Sequence, residues 1–135
     1  MTKPLFTNVT STTATTERVR DFLLDLENIT QWAPEISSLQ NSEMGMTLTR
    51  IGHALNAVEE ISVTEADGKI IYHSIGGKLA YDLEFVLEKQ QQQTKISQML
   101  HFTEPNYLSI PLSLVKPIIK QAFQENLHRL AAVVQ

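Results

Sequence analysis

Cysteine is absent from the 135-residue sequence. The chain therefore has no disulfide, no thiol nucleophile and no thiolate metal site, and we expect a protein of the reducing cytoplasm. Positive charge is scarce as well, because 11 lysine and arginine residues stand against 15 acidic residues and leave a formal net charge of -4. Since no basic stretch offsets that charge, the sequence predicts no nucleic-acid partner.

Long apolar runs are also missing. The N-terminal segment MTKPLFTNVTSTT alternates apolar and hydroxyl side chains, unlike the continuous apolar core of a signal peptide. No stretch approaches the roughly 20 apolar residues of a membrane-spanning helix, so we expect no stable membrane insertion. The length fits a single domain that covers residues 1–135.

The motifs of metal, phosphate and nucleophile chemistry are missing too. The four histidines lack the spacing of a metal site, and no glycine-rich phosphate loop is present. No serine or threonine stands demonstrably beside a histidine and an acid. The sequence therefore predicts no metal and no cofactor.

The N-terminal third combines a strand with two helices. Residues 4–13 are rich in threonine and valine and predict a strand. Residues 15–26 predict a helix that Thr15 or Thr16 caps, because apolar side chains recur with helical spacing at Val19, Phe22, Leu23 and Leu26.

A second, shorter helix follows, capped by Asn28 or Thr30. It carries Trp32 and ends near Ala33, because the residue before Pro34 is forced out of the α region. A lone aromatic side chain beside an amphipathic helix is typical of structural packing, so we expect Trp32 to be packed, with ligand stacking as the alternative.

From about residue 37 to residue 103 the apolar side chains alternate as in strands. Asp67-Gly68 and Gly76-Gly77 each predict a two-residue hairpin turn. The second of these turns pairs Ser74 with Leu79, Tyr72 with Tyr81 and Ile70 with Leu83. A third hairpin centres on Gln91 and Gln92, and the lack of glycine there predicts a four-residue or distorted loop. These registers direct one set of side chains to a common apolar face: Ile61, Val63, Ile70, Tyr72, Leu79, Tyr81, Leu83, Phe85, Leu87, Ile96, Leu100 and Phe102.

The opposite face of this sheet is polar. It pairs Glu88 with Lys95 and Asp82 with His101, and it carries His73 on the adjoining strand. We interpret these side chains as a solvated surface, with His53 in a loop and His128 on the surface of the last helix.

The chain ends in a long helix that Pro111 opens, while Pro117 marks its first turn or kinks it. One side of this helix is apolar, at Ile119, Phe123, Leu127, Leu130 and Val134.

The whole pattern resembles the SRPBCC or START-like superfamily, which includes relatives of the birch-pollen allergen, and within it the polyketide cyclase/dehydratase-like group. The likeness covers nearly the whole chain and is carried by ATTERVRDFLLDLENITQWAPEISSL, GKIIYHSIGG, TKISQMLHFTEP and ENLHRLAAVV. It implies an α+β helix-grip fold, in which a curved antiparallel sheet of six to seven strands wraps around the C-terminal helix. Two short helices then lie between strands 1 and 2.

Such a sheet encloses more volume than one helix fills, so we expect a mostly apolar pocket between them. Glu59 and Gln98 are in phase with the apolar face and are the predicted orienting groups. The predicted walls are Val63, Tyr72, Tyr81, Leu83, Phe85, Leu100, Phe102, Ile119 and Phe123.

Glu59 also has a structural interpretation. A buried carboxylate needs water, a cation or a raised pKa. Arg50 is the nearest cation if a turn at His53 and Ala54 sets it opposite Ala57, and a one-residue bulge would instead turn Glu59 or Glu60 to solvent. For Gln98, a satisfied core amide and a pocket hydrogen bond are both consistent with the pattern.

Three functions fit this sequence. The first is a small soluble protein that binds a hydrophobic or amphipathic small molecule between the sheet and the terminal helix. The second is an enzyme of the cyclase or dehydratase type, in which Glu59 is the general acid or base. The third is a protein-interaction module with a packed interior and an exposed apolar patch.

Overall fold

The computed structural model describes residues 3–51, 56–104 and 111–135. The strands are β1 (Phe6–Thr12), β2 (Ile36–Asn41), β3 (Met46–Arg50), β4 (Val58–Ala66), β5 (Lys69–Ile75), β6 (Tyr81–Gln90) and β7 (Gln93–Phe102). The helices are α1 (Thr16–Leu24), a 3-10 helix (Leu26–Gln31) and α2 (Leu112–Val133). None of the helices within these ranges is both long and apolar enough to cross a membrane.

The strands form one antiparallel sheet in the order β1-β7-β6-β5-β4-β3-β2. Strand β1 pairs with β7, so the chain returns to its first strand after five intervening strands. Helix α2 adds its buried residues to the core on one side of this sheet, and α1 and the 3-10 helix come between β1 and β2. The predicted α+β helix-grip architecture is therefore confirmed, with seven strands among the described residues.

The first predicted hairpin register is confirmed. Asp67 and Gly68 both have positive φ, at 54° and 75°, and Ala66 pairs with Lys69 across the turn. This is the two-residue geometry that matches the twist of antiparallel strands. Val63 consequently lies opposite Tyr72, as the pattern predicted.

The register predicted for the second hairpin is wrong by two residues. Ser74 pairs with Tyr81, Tyr72 with Leu83 and Ile70 with Phe85, so the connection runs from Gly76 to Ala80. The physical reason is Asn56, whose side-chain amide accepts a hydrogen bond from the Leu79 N–H at 3.0 Å and donates one to the Leu79 carbonyl at 2.8 Å. These bonds hold a longer loop open, and a shift of two residues leaves every side chain on its predicted face.

The third hairpin has the predicted centre but a shorter loop than expected. Gln90 pairs with Gln93, which leaves Gln91 and Gln92 as a two-residue turn. Gln91 takes the positive φ of 53° that a glycine would otherwise supply. The pairs beyond the turn, including Leu87 with Ile96 and Glu88 with Lys95, are those predicted.

The two helices after β1 pack against one end of the sheet. Thr15 caps α1 by accepting a hydrogen bond from the Arg18 N–H, as one of the two predicted caps. The 3-10 helix is capped by Asp25, which corrects the prediction of Asn28 or Thr30. Asp25 serves because it directly follows α1 and its carboxylate accepts a hydrogen bond from the Glu27 N–H at 3.2 Å.

Trp32 is only 3% exposed and lies at the end of the 3-10 helix. Its ring centroid is 6.2 Å from that of Phe85 in an edge-on arrangement and 6.4 Å from that of Tyr72. The Tyr72 hydroxyl donates to the Leu23 carbonyl of α1 at 2.6 Å. The tryptophan therefore packs at the junction of the helices and the sheet, where a large apolar side chain excludes water from the core.

Helix α2 begins directly after Pro111 and continues through Pro117. Its C-terminal end is tied to the rest of the chain by two bonds to its carbonyls, from the Thr12 hydroxyl to Ala131 at 2.8 Å and from Arg18 Nε to Val134 at 2.6 Å. The turn predicted at His53 and Ala54 lies outside the described residues.

A candidate ligand cavity between the sheet and the terminal helix

A cavity of about 350 Å³ lies between α2 and the part of the sheet formed by the start of β2 and the end of β3. Its apolar lining comes from Pro34, Ile51, Ile118, Ile119, Ala122 and Phe123. Its polar lining comes from Glu35, Arg50, Tyr81, Glu125, Asn126 and Arg129. The site thus combines an apolar surface with a set of polar side chains from both the sheet side and the helix.

Three of the predicted wall residues line this cavity: Tyr81, Ile119 and Phe123. The Phe123 ring is partly buried and contacts two other rings, with centroid distances of 5.5 Å to Phe6 and 6.2 Å to Tyr81. Phe123 therefore has aromatic neighbours on its core side and the cavity on another.

The other predicted wall residues pack into the core. Tyr72, Leu83, Phe85 and Leu100 are each at most 4% exposed and belong to one contiguous apolar cluster. Val63 and Phe102 are partly buried and pack against that cluster. None of these six is among the described residues that line the cavity, so the open space lies nearer the β2 and β3 side of the sheet than the register alone indicated.

Gln98 is completely buried on β7. Its side-chain oxygen accepts a hydrogen bond from the Asn8 amide at 3.1 Å, and the same Asn8 side chain accepts one from Lys120 Nζ at 2.9 Å. Gln98 Nε2 has no hydrogen-bond partner among the described residues. The residue therefore joins β7, β1 and α2 through Asn8.

Glu59 is 1% exposed and lies behind the cavity wall. Its Oε1 accepts from Arg50 Nη2 at 2.7 Å, and its Oε2 accepts from Asn56 Nδ2 and the Ser74 hydroxyl, both at 2.8 Å. The Tyr81 hydroxyl donates to the same carboxylate at 3.1 Å. Every donor that a buried carboxylate requires is thus supplied by the protein.

These contacts set the pKa of Glu59. Burial alone would raise the pKa of this carboxyl, but the charge of Arg50 and the hydrogen bonds from Asn56, Arg50 and Ser74 outweigh burial. The pKa of Glu59 therefore lies below its ordinary value. In contrast, burial and the neighbouring Glu59 charge raise the pKa of Tyr81, which stays a neutral hydroxyl donor.

Arg50 connects Glu59 to the cavity. Its Nη1 donates to Glu35, whose carboxylate also accepts from Asn126 Nδ2 of α2 at 3.0 Å. Asn126 in turn accepts from Arg129 Nη1 at 2.9 Å. The result is a chain of polar contacts that runs from the buried face of β4 through the cavity to the helix.

The sequence pattern indicated Arg50 as a partner of Glu59, but it gave no role in the site to Glu35, Asn56 or Asn126. Period-two counting assigns faces within strands, and Glu35 and Asn56 lie just outside β2 and β4. Asn126 does carry a signal, because this amide occurs beside the apolar stripe of the terminal helix.

The predicted polar face of the sheet carries two histidines beside carboxylates. His73 Nδ1 lies 2.8 Å from Asp82, and His101 Nε2 lies 3.5 Å from Glu84. His128 is exposed on α2, where it contacts Gln124, and His53 lies outside the described residues. Within the described ranges, histidine and acidic side chains form no group of three suited to a metal ion.

Solved structures of similar fold cover almost the whole chain. A START superfamily protein from Mycobacterium smegmatis superposes with a TM-score of 0.72 at 16% identity, over 96% of this chain and 95% of that one. The fold of this chain is START-like. The protein XoxI from Bacillus cereus gives a TM-score of 0.74 at 12% identity, over 96% of this chain and 94% of that one. Ara h 8.0201 gives 0.69 at 15% identity, over 96% and 95% of the two chains.

No family model matches this chain, and no curated protein matches it. The likeness is therefore one of architecture at low sequence identity, and it shows the fold.

Proposed function

We propose that this protein binds a hydrophobic or amphipathic small molecule in the cavity between the sheet and α2. The observation that carries the proposal is the cavity itself, whose volume of about 350 Å³ falls at the lower end of the range of small-molecule sites. Its mixture of apolar surface and a few fixed polar groups is typical of such sites.

Exposed apolar side chains at the cavity support the same function. Ile118 and Ile51, which line it, are 70% and 61% exposed. Covering exposed apolar side chains at a concave site with an apolar guest removes them from water and lowers the free energy of the system. The resemblance to the START-like superfamily, which implies a pocket in this region, points the same way.

The geometry supports binding better than acid–base catalysis by Glu59. A general acid at neutral pH needs a raised pKa, whereas the Arg50 charge and several hydrogen bonds lower the pKa of Glu59 against the effect of burial. Glu59 is also not among the described residues that line the cavity. A guest would meet Arg50 and Tyr81 before it met this carboxylate.

Filling the cavity tests the proposal. Ala122 lines it and is exposed, so Ala122→Trp places a large ring in the space without entering the core. We expect the neutral naphthalene dye prodan to bind the wild-type protein with a rise in fluorescence, and Ala122→Trp to weaken that binding by at least about tenfold.

Ala132→Trp is the matched control, because Ala132 is an exposed alanine of the same helix outside the cavity lining. This variant should bind the dye like the wild type, and thermal unfolding should show that both variants fold. The proposal is wrong if the wild-type protein does not bind the dye, or if folded Ala122→Trp binds it unchanged.

A further inference from the structure

The polar end of the cavity is organised by Arg50. This side chain donates to Glu59 from Nε at 3.3 Å and from Nη2 at 2.7 Å, and it donates to Glu35 from Nη1. A guanidinium carries more N–H donors than these three bonds use. Arg50 also keeps 12% exposure and lines the cavity, so among the described contacts it retains donor capacity beside the space where a guest would lie.

Glu35 is held firmly next to that donor. Its carbonyl accepts from the Ile51 N–H at 2.9 Å, which fixes its backbone against the strand that carries Arg50. Its carboxylate accepts from Asn126 Nδ2 at 3.0 and 3.2 Å, which fixes the side chain against α2. The carboxylate therefore stays beside the guanidinium and is not a mobile surface group.

The acidic side chains at this end of the cavity outnumber the basic ones by one. Among the described lining residues, Arg50 and Arg129 oppose Glu35 and Glu125, and Glu59 behind the wall adds a further negative charge. Arg129 and Glu125 are exposed, so water screens their charges. A carboxylate guest near Arg50 would lie beside the fixed charge of Glu35, and like charges held together in a partly dry site repel strongly.

We propose that Glu35 is a specificity-determining residue, which makes the cavity select neutral amphipathic molecules with a hydrogen-bond acceptor, such as a carbonyl oxygen, over carboxylates. The acceptor oxygen bonds to the remaining N–H donors of Arg50, and the apolar body lies against Ile119 and Phe123. This inference rests on the proposed function, and it adds the chemical class of the guest.

Naphthalene derivatives with one apolar body and different polar groups test this selectivity. We expect wild-type protein to bind 2-acetylnaphthalene about tenfold more tightly than 2-naphthoate, measured by calorimetry at neutral pH. In Glu35→Gln the shape is kept and the charge is lost, so the affinity for 2-naphthoate should rise about tenfold while that for 2-acetylnaphthalene changes little.

Glu125→Gln is the matched control, because it removes the same charge from the cavity lining at an exposed residue that hydrogen-bonds Gln121 instead of Arg50. It should leave the preference for 2-acetylnaphthalene unchanged. Unsubstituted naphthalene measures the apolar contribution alone and should bind all three proteins alike.

The outcomes separate the two proposals. If naphthalene and all its derivatives fail to bind the folded wild type, both the proposed function and this selectivity are wrong. If they bind but 2-naphthoate or 2-naphthylmethylammonium binds the wild type more tightly than 2-acetylnaphthalene, only the selectivity is wrong. The same conclusion holds if Glu35→Gln and Glu125→Gln change the affinities equally.

Discussion

Glu59 is a carboxylate in the interior of the protein, and its burial is tolerable because its surroundings compensate for lost water. Arg50 supplies the opposite charge at 2.7 Å, and Asn56, Ser74 and Tyr81 supply neutral donors. Such a cluster contributes little net stability relative to apolar packing, but removing one member leaves its partner charged and buried. Glu59 therefore has a structural role, because it holds Arg50 and Tyr81 in place at the wall of the cavity.

Glu59→Gln should lower the free energy of unfolding by about 3 kcal/mol, since it leaves the Arg50 guanidinium without its buried counter-charge. Urea unfolding at neutral pH measures this loss. Glu65→Gln is the comparison, because Glu65 pairs with Arg20 at the surface and its loss should change stability little. Equal effects of the two substitutions would contradict a structural role for Glu59.

The same residue predicts a pH dependence. The pKa of Glu59 is lower in the folded chain than its ordinary value, because Arg50 and the hydrogen bonds outweigh burial. A group with a depressed folded pKa stabilises the protein above its unfolded pKa of about 4.3, and this stabilisation is lost as the pH falls through the folded pKa. The stability difference between wild type and Glu59→Gln should therefore shrink below about pH 4 in urea titrations at several pH values. A difference that stays constant down to acid pH would rule out this linkage.

At the scale of elements, the turn residues decide the hairpins at Asp67-Gly68 and at Gln91-Gln92. Asp67-Gly68 has the residues for positive φ at both positions, and its register follows directly from the sequence. Gln91 adopts a φ of 53° without being glycine, at a cost that the long β6–β7 pairing offsets.

Gln91→Gly should raise the free energy of unfolding by about 0.5 to 1 kcal/mol, because glycine adopts positive φ without the steric cost. Gln92→Gly is the control, because the adjacent Gln92 does not have a positive φ. This substitution should lower the free energy of unfolding by about 0.5 kcal/mol, because glycine gives the unfolded chain more conformational freedom. Thermal unfolding of the two variants distinguishes these signs. A loss of stability in Gln91→Gly would show that this turn is not strained.

At the scale of the whole molecule, the terminal helix packs tightly at one end and borders the cavity nearer its start. Leu127 and Leu130 are fully buried, while Ile118 is 70% exposed and Phe123 is partly buried. Both halves of α2 are bonded to β1, through Lys120 and Asn8 in the earlier half and through Ala131 and Thr12 near the end. The earlier half of the helix is left to border open space.

Alanine substitutions along α2 should show this difference in packing between its two halves. Leu127→Ala should cost about 3 kcal/mol, because it opens a void in a filled core. Phe123→Ala should cost only about 1 to 2 kcal/mol despite removing more atoms, because part of the ring already borders a cavity. Urea unfolding compares the two variants, and a larger loss for Phe123→Ala would indicate that the ring is fully packed in solution.

Much of the fold was predictable because local patterns and turns agree. The alternation along β4 to β7 assigned the inward face, and that assignment survived a two-residue error at the Gly76-Gly77 hairpin because the period of a strand is two. The length of that connection was not predictable, since it depends on the Asn56 amide, which is 23 residues away from Leu79 in the chain.

The sequence by itself determined the α+β class, the order of the elements and the inward face of the central strands, because periodicity acts through neighbouring residues and adjacent strands. It offered an inward Glu59 paired with Arg50 as one alternative and a bulge that turns Glu59 to solvent as the other. Only the tertiary structure decided where the open space lies and that Glu35, Asn56 and Asn126 complete its polar end. The physical reason is that a cavity is the volume left between elements distant in sequence, here the start of β2, the end of β3 and α2, and no local pattern records how closely they approach.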